Sequence, residues 1–358
     1  MNKLKVVVCG TGFGRFYIQG ITRFTNKYIL AGIISRGSDQ SKRLAEKLQV
    51  PLFDDYTKVI KEDADVVCVV VRTGVVGGKG TEIAKHFLEK GIHVVIEQPI
   101  HYKDILECYK LANKNKCTFH VESFYPYLQT TNTYIHTANH LLEKAEPIYL
   151  ETACSLQVLY PLLDVVGRIM GGFKPLKIDY QKTMVHGLFT DLYGEIKGMP
   201  WHLRIQNEID AHNPDNNFYL FHKIQLYTSI GCLEMTESHG DVLWIPKYII
   251  PKDEEGMLDP YLDVTLPMLK LTEQVGIEPI NIGTMFEGVW PKTIAYFLDS
   301  VFEIMNSSTN NSRVMQHNIE TGKLWNEVGR YIGPSTSIET KTIRPLTLKE
   351  IDGGNGIL

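Results

Sequence analysis

No apolar run in the 358-residue chain approaches the ~20 residues that a membrane span requires, so no transmembrane helix is expected. The chain runs at once into an apolar strand, with no basic n-region, apolar h-region or small-residue cleavage site. The expectation is a cytoplasmic protein. Excess positive charge is missing as well: 37 basic residues against 41 acidic ones give a net charge of −4 with no basic stripe, which argues against a nucleic-acid partner. Six cysteines (Cys9, Cys68, Cys108, Cys117, Cys154, Cys232) never form CxxC and never take a metal-ligand spacing. In a reducing compartment they read as small core residues rather than disulfides or ligands. Internal repeats and low-complexity segments are lacking too. The composition, 44% hydrophobic and 22% charged, is that of an ordinary globular protein, and the length suggests two domains.

The stretch that organises the chain is residues 3–20, KLKVVVCGTGFGRFYIQG. Residues 4–8 form an apolar, β-branched run that reads as a buried strand of a parallel sheet. Gly10, Thr11, Gly12, Phe13, Gly14 and Arg15 then make a turn before the periodic apolar residues Phe16, Tyr17, Ile18 and Ile21 of a helix. Without side chains at Gly10 and Gly12, backbone can approach a pyrophosphate, whose charge faces amide N–H groups at the helix N-terminus. The bland alternative is a tight strand-to-helix turn that binds nothing. The spacing departs from GxGxxG, because the third glycine comes one residue early, at Gly14 rather than at position 15.

A second strand over 28–34 ends at Ser35-Arg36-Gly37-Ser38, where an NAD site would place an acid for the ribose hydroxyls. That acid is missing. Ser35, Arg36 and Ser38 offer hydroxyls and a guanidinium suited to a 2′-phosphate, so NADP(H) is expected, with Asp39 the residue that opposes it. Residues 51–53 make a short third strand, and the run 64–71 a central one ending at Arg72 and Thr73. Ligands of doubly wound sheets sit at such strand ends, so Arg72 and Thr73 are expected to line the crevice. Gly77-Gly78 open a helix through Phe87. Strand five, 92–96, delivers Glu97-Gln98-Pro99-Ile100-His101; a helix over 104–115 and strand six, 118–121, lead to Glu122-Ser123-Phe124-Tyr125-Pro126-Tyr127. Residues 1–123 therefore read as a dinucleotide-binding Rossmann domain.

Residues 124–358 read as a substrate-binding and oligomerisation domain of α+β class. Helices are expected over 131–142 and 161–170, then strands over 202–209, 218–228, 231–237 and 242–250. Strands in succession without intervening helices imply an open antiparallel sheet. Helices over 291–305 and 318–331 follow, joined by a flexible linker at 306–312. Trp201 and Trp244 read as packing residues.

A six-stranded nucleotide domain, Glu-x-Pro after strand five and an open antiparallel sheet resemble the glucose–fructose oxidoreductase / inositol dehydrogenase family. Within it the chain is most similar to the thiazolinyl imine reductases of siderophore biosynthesis (the yersiniabactin and pyochelin pathways). The segments that carry the resemblance are CGTGFGRFY, VVVRTGVVGGKG, GIHVVIEQPIH, SFYP, LRIQNEIDAHNPDNN and SHGDVLWIPK, the last two being the most specific. The resemblance implies NADPH-dependent reduction of a thiazoline C=N to a thiazolidine, with the substrate tethered to a nonribosomal peptide synthetase carrier domain. It also implies a homodimer.

In the wider family the residue at Gln98 is a proton-shuttling lysine, and imine reductases typically carry histidine there. The wider family's active-site histidine, three residues before Asp164, is Pro161 here. An amide and a proline cannot titrate, which disfavours alcohol oxidation. The resemblance makes Tyr125 the proton donor; its phenol, with an ordinary pKa near ~10, stays protonated at neutral pH. Tyr127, Tyr160, His101 and an ordered water are the other candidates, and Tyr125 as a structural aromatic at the domain hinge is the competing reading. Asp164 either anchors the domain interface or orients Tyr125. Two rival functions remain open: an NAD(P)-dependent sugar or polyol dehydrogenase, and a non-catalytic NADP(H)-binding protein.

Overall fold

The computed structural model describes residues 3–214, 216–259, 261, 268–276, 280–306, 311–340 and 344–352, the side chains of 180–186 and 311 excepted. Its first half alternates strand and helix: β1 (Leu4–Cys9), α1 (Gly14–Arg23), β2 (Tyr28–Ile34), α2 (Asp39–Leu48), β3 (Leu52–Phe53), β4 (Val66–Val69), α3 (Gly80–Glu89), β5 (His93–Glu97), α4 (Tyr102–Lys114) and β6 (Phe119–Glu122). All six strands are parallel, in the order β3-β2-β1-β4-β5-β6. The apolar runs become central strands because helices cover both faces: Val6, Val7, Val8, Val66, Val67 and Cys68 are wholly buried. Strand order reverses between β1 and β4, and the crevice outside their carboxyl ends is where such sheets bind ligands.

The second half carries α5 (Gln129–Leu142), β7 (Pro147–Ser155), α6 (Leu159–Met170), β8 (Leu176–His186), β9 (Phe189–Ile196), β10 (Met199–Gln206), β11 (Glu208–Asp210), β12 (His222–Thr228), β13 (Gly231–Met235), β14 (Val242–Pro246) and β15 (Glu273–Gln274). Eight of these strands form a sheet in the order β15-β14-β13-β12-β7-β10-β9-β8, antiparallel except where β10 runs parallel to β7. This is the expected open sheet on a doubly wound domain. The sequence did not mark β7, β8 and β9. Glu151 on β7 and Asp191 and Tyr193 on β9 are polar residues that meet Arg204 and His202 of β10 on one face, so the apolar signal of those strands is halved. The expected strand over 218–228 begins only at His222, and the one over 242–250 ends at Pro246.

A short α7 (Ile282–Thr284) passes through one π turn into α8 (Trp290–Asn306), followed by α9 (Asn311–Ile332), β16 (Thr336–Ile338) and α10 (Leu348–Ile351). The helix expected from 318 starts at Asn311. Of the linker expected at 306–312, residues 307–310 lie outside the described residues. Both long helices fold back on the first domain. A Cβ on Gly20 would stand 2.7 Å from the Pro291 carbonyl oxygen, so glycine there lets α8 lie directly on α1. Tyr28 Oη donates to the Leu298 carbonyl (2.6 Å), and Asn318 Nδ2 to Tyr109 Oη (3.0 Å). All six cysteines are buried and free, as the sequence reading expects of core residues.

Candidate active site

The turn after β1 is built from backbone. Gly10 takes φ +104°, and a Cβ there would fall 2.4 Å from the Val70 carbonyl oxygen, so the turn must run without a side chain. Gly12 faces open space. A Cβ on Gly14 would stand 3.2 Å from Val8 Cγ1; the close packing of helix on strand that a third glycine provides is achieved here one residue early. The helix begins at Phe13 without a side-chain cap and without an acid in its first turn. Arg15 N–H donates to the Gly12 carbonyl (3.3 Å) and Phe16 N–H to the Phe13 carbonyl (2.9 Å), so an anion would be met by the amides of the turn ahead of them. Arg15 is exposed, its guanidinium over the Phe16 ring (5.0 Å).

Thr11 Oγ1 meets Ser41 Oγ (2.9 Å), which meets Ser38 Oγ (2.8 Å), tying the glycine turn to the start of α2. Ser38 caps that helix, accepting from Ser41 N–H (3.3 Å), while Ser35 Oγ accepts from Gly37 N–H (3.3 Å). Arg36 is exposed and has no protein partner among the described residues; Asp39 lies within 3.7 Å of Lys42. At the tip of β4, Arg72 is exposed, but Thr73 is buried and donates to the Pro99 carbonyl (2.5 Å). Thr73 therefore braces the neighbouring loop rather than offering its hydroxyl to the crevice.

Gln98 and Pro99 are joined by a cis peptide. Gln98 N–H donates to the Glu122 carbonyl (3.0 Å), and its Oε1 is buried without a partner. Glu97 accepts from Tyr17 Oη on α1 (2.7 Å); desolvation pushes its carboxyl up to about 8. Glu122, its partner across β5 and β6, is driven well above the carboxylate range by burial and then by Glu97. His101 caps α4, its Nδ1 accepting from Lys103 N–H (3.3 Å), and its ring lies on Tyr102 (4.6 Å).

Beyond β6 the chain makes a tight turn with Phe124 at φ +65°. Glu122 Oε1 accepts Phe124 N–H (2.6 Å), and Ser123 O accepts Tyr125 N–H (2.7 Å). Such a conformation in a bulky residue is strained and persists only where surrounding bonds impose it. It delivers Tyr125, buried, against the edge of His222 (4.5 Å) and beside Phe221 (5.9 Å). Tyr125 Oη has no protein hydrogen-bond partner among the described residues. Burial, then Glu237 and Glu97, push its pKa well above the ordinary phenol value. His222 donates Nε2–H to the Val158 carbonyl (2.8 Å) and so accepts at Nδ1 from Ser238 (2.8 Å); burial lowers it to about 3, and it stays neutral.

Asp164 anchors the joint between the domains. It accepts from Ser123 Oγ, from Arg168 Nε (2.6 Å) and from His317 Nε2 (2.5 Å), linking β6, α6 and α9. Burial alone would raise its carboxyl, yet Arg168 and His317 hold it well below the usual range. No contact to Tyr125 is involved. Tyr160 Oη is buried without a partner, and Trp201 packs in the core, donating to Thr152 Oγ1 (3.0 Å). Sequence reasoning missed Phe221, Glu237 and Trp290, which gather near Tyr125 from three separate segments, and no local signal marks any of them. Among the described residues, no group of three His, Cys, Asp or Glu side chains could hold a metal ion, and no helix is long and apolar enough to cross a membrane.

Residues 4–123 match the oxidoreductase family with NAD-binding Rossmann fold, Gfo/Idh/MocA. Residues 145–245 match the C-terminal part of the Irp3-like thiazolinyl imine reductases. The first domain is thus similar to the Gfo/Idh/MocA oxidoreductases and the second to the Irp3-like thiazolinyl imine reductases. No curated protein matches it. Solved Gfo/Idh/MocA-type structures share the fold at low identity. KijD10, a 3-ketoreductase from Actinomadura kijaniata in complex with TDP-benzene and NADP, is 14% identical with a TM-score of 0.66 over 94% of this chain and 100% of that one. UDP-N-acetylglucosamine 3-dehydrogenase GnnA from Acidithiobacillus ferrooxidans is 11% identical, TM-score 0.64, over 92% and 97%. An oxidoreductase from Agrobacterium radiobacter in complex with NAD+, L-tartaric acid and magnesium is 12% identical, TM-score 0.63, over 91% and 95%.

Proposed function

We propose that this oxidoreductase reduces the C=N bond of a thiazoline to a thiazolidine with NADPH, in nonribosomal siderophore assembly. The observation that carries the reading is the match of residues 145–245 to the imine-reductase C-terminal domain. Gln98 agrees with it, since an amide cannot take a proton from an alcohol. The uncapped first turn of α1 fits a pyrophosphate, and Gly12 leaves room for it. Arg36, exposed and unpaired, with Ser35 and Ser38, would hold the 2′-phosphate.

When bound, NADPH supplies the hydride that forms the new C–H bond. The ring nitrogen gains a proton as the C=N bond becomes single, and Tyr125 or a bound water donates it. The Tyr125 hydroxyl suits this task because it keeps its proton throughout the neutral range and is not spent on a protein partner. Water returns the proton afterwards. Gln98 stands at the tip of β5 as an amide, and His101 caps α4. The substrate arrives tethered to a peptide-synthetase carrier domain, and the protein works in the cytoplasm as a homodimer.

Loss of NADPH absorbance with a synthetic aryl-thiazolinyl-thiazoline, run against a panel of sugars and polyols, tests the reading. Turnover of the thiazoline alone is expected. Turnover of polyols with NAD+ would replace the reading with a sugar dehydrogenase, and tight NADPH binding without any turnover would replace it with a binding protein.

A further inference from the structure

The turn between β13 and β14 carries Ser238-His239-Gly240-Asp241, within one of the two segments that carry the resemblance to imine reductases most specifically. It is fixed from both sides. Glu237 accepts from Phe221 N–H (2.9 Å) and Ser238 N–H (2.8 Å), Thr236 N–H donates to the Asp241 carbonyl (3.0 Å), and Gly240 N–H to the Glu237 carbonyl (3.0 Å). The His239 ring is fixed in turn: Trp290 Nε1–H donates to His239 Nε2 (3.0 Å). An indole N–H only donates, so Nε2 is the bare nitrogen and the neutral ring carries its proton on Nδ1. Burial pulls the ring's pKa down to about 4, which keeps it neutral. Nδ1 has no protein partner among the described residues, and it is not among the polar atoms sealed from solvent.

Five rings close a circuit around this donor. Centroids are 5.9 Å apart for Tyr125 and Phe221, 5.4 Å for Phe221 and His239, 6.2 Å for His239 and Trp290, 5.4 Å for Trp290 and Phe124, and 5.3 Å for Phe124 and Tyr125. Phe13, in the glycine turn, touches both Phe124 (5.6 Å) and Trp290 (5.7 Å), so the circuit adjoins the cofactor cradle. It joins four segments far apart in sequence, and it presents flat apolar faces with one unspent N–H.

We propose that His239 is a substrate-binding donor of this site, its Nδ1–H given to an acceptor atom of a planar ring seated among Tyr125, Phe221 and Trp290. The proposal rests on the reading that the cleft takes a cyclic imine. A neutral imidazole with a fixed tautomer orients its acceptor without transferring a proton. Its contribution is to affinity and placement, separate from the proton donated near Tyr125.

The test uses the full-length protein saturated with NADP+, with binding of the aryl-thiazolinyl-thiazoline followed by tryptophan fluorescence, and steady-state NADPH oxidation measured in parallel. His239→Phe keeps a flat ring and removes the donor; Kd and KM are expected to rise about tenfold with kcat changed less, the usual weight of one lost hydrogen bond. His239→Asn restores an N–H near Nδ1 and should recover most of that loss; it also serves if the phenylalanine variant fails to fold. Trp290→Phe frees the tautomer and should weaken binding by about twofold to fivefold. NADPH affinity is expected to stay near the parent value in both His239 variants. Unchanged Kd and KM in both, with the parent turning the thiazoline over, would overturn the role of His239 and leave the imine-reductase reading standing. Weakened binding in His239→Phe with no NADPH oxidation by the parent would support the donor and overturn the reductase reading. A parent that does not bind the thiazoline would overturn both.

Discussion

The cofactor cradle and the aromatic cleft lie side by side, yet they are made of different material. The cradle is backbone: Gly10, Gly12 and Gly14, an uncapped helix start and a few hydroxyls within some 40 residues of chain. The cleft is side chain: Tyr125, Phe221, His239 and Trp290, drawn from segments up to 165 positions apart, with Trp290 bonded to His239 and the Phe221 amide to Glu237. A cradle of amides accepts any pyrophosphate and says little about the reaction. Under the proposed function the aromatic cluster is where one chemistry would be separated from another, and it depends on how the domains meet.

That contrast can be broken at the joint. Asp164→Ala would leave the half-buried Arg168 and His317 without their carboxylate; a loss of about 2–3 kcal/mol in unfolding free energy is expected from denaturant titration, less than for a fully buried ion pair because water reaches both partners. A loss below about 1 kcal/mol would mean that the two regions are held together elsewhere. Within the cleft, Tyr125→Phe is expected to lower kcat/KM for the thiazoline by about 100-fold with NADPH affinity unchanged. Equal turnover would move proton donation to water or to another hydroxyl.

Within the cradle, Arg36→Ala should weaken NADPH by about tenfold or more while leaving NADH nearly untouched, since a charge-assisted bond to phosphate is lost in only one of them. Equal effects on both would remove Arg36 from the site. The last effect is in pH. His120, His222 and His239 are held neutral, at about 3, 3 and 4 against an ordinary 6.5, so the unfolded chain binds more protons than the folded one below pH 6.5. Their contribution to stability falls as pH drops through that window. Glu97 acts in the opposite sense: held at about 8 against 4.5, it keeps its proton when folded, and stability falls as pH rises from 4.5 to 8. Melting temperature against pH should show both slopes, and Glu97→Gln should flatten the alkaline one.

The legibility of the two regions follows from the same contrast. Period-two and period-3.6 patterns come from burial on one face or two, so the buried parallel strands β1, β4 and β5 stand out, whereas β7 to β9, polar on their open face, do not. A strand tip suggests that Thr73 faces the ligand, yet the fold gives its hydroxyl to the Pro99 carbonyl, whereas Ser38 caps α2 and still lies exposed beside Arg36. The helix expected over 104–115 starts at Tyr102, with His101 as its cap. Nothing local in Phe221 or Trp290 points to the cleft.

By itself the sequence determined the two-domain α/β architecture, the glycine turn and the missing acid after β2, because each depends on residues that are neighbours in the chain. Only the tertiary structure decided that α8 and α9 return to the first domain, that Asp164 bridges Ser123 to His317, and that Trp290 fixes the tautomer of a histidine 51 residues away. Contacts of that kind form only when packing brings distant side chains within hydrogen-bond range, and no local pattern encodes them.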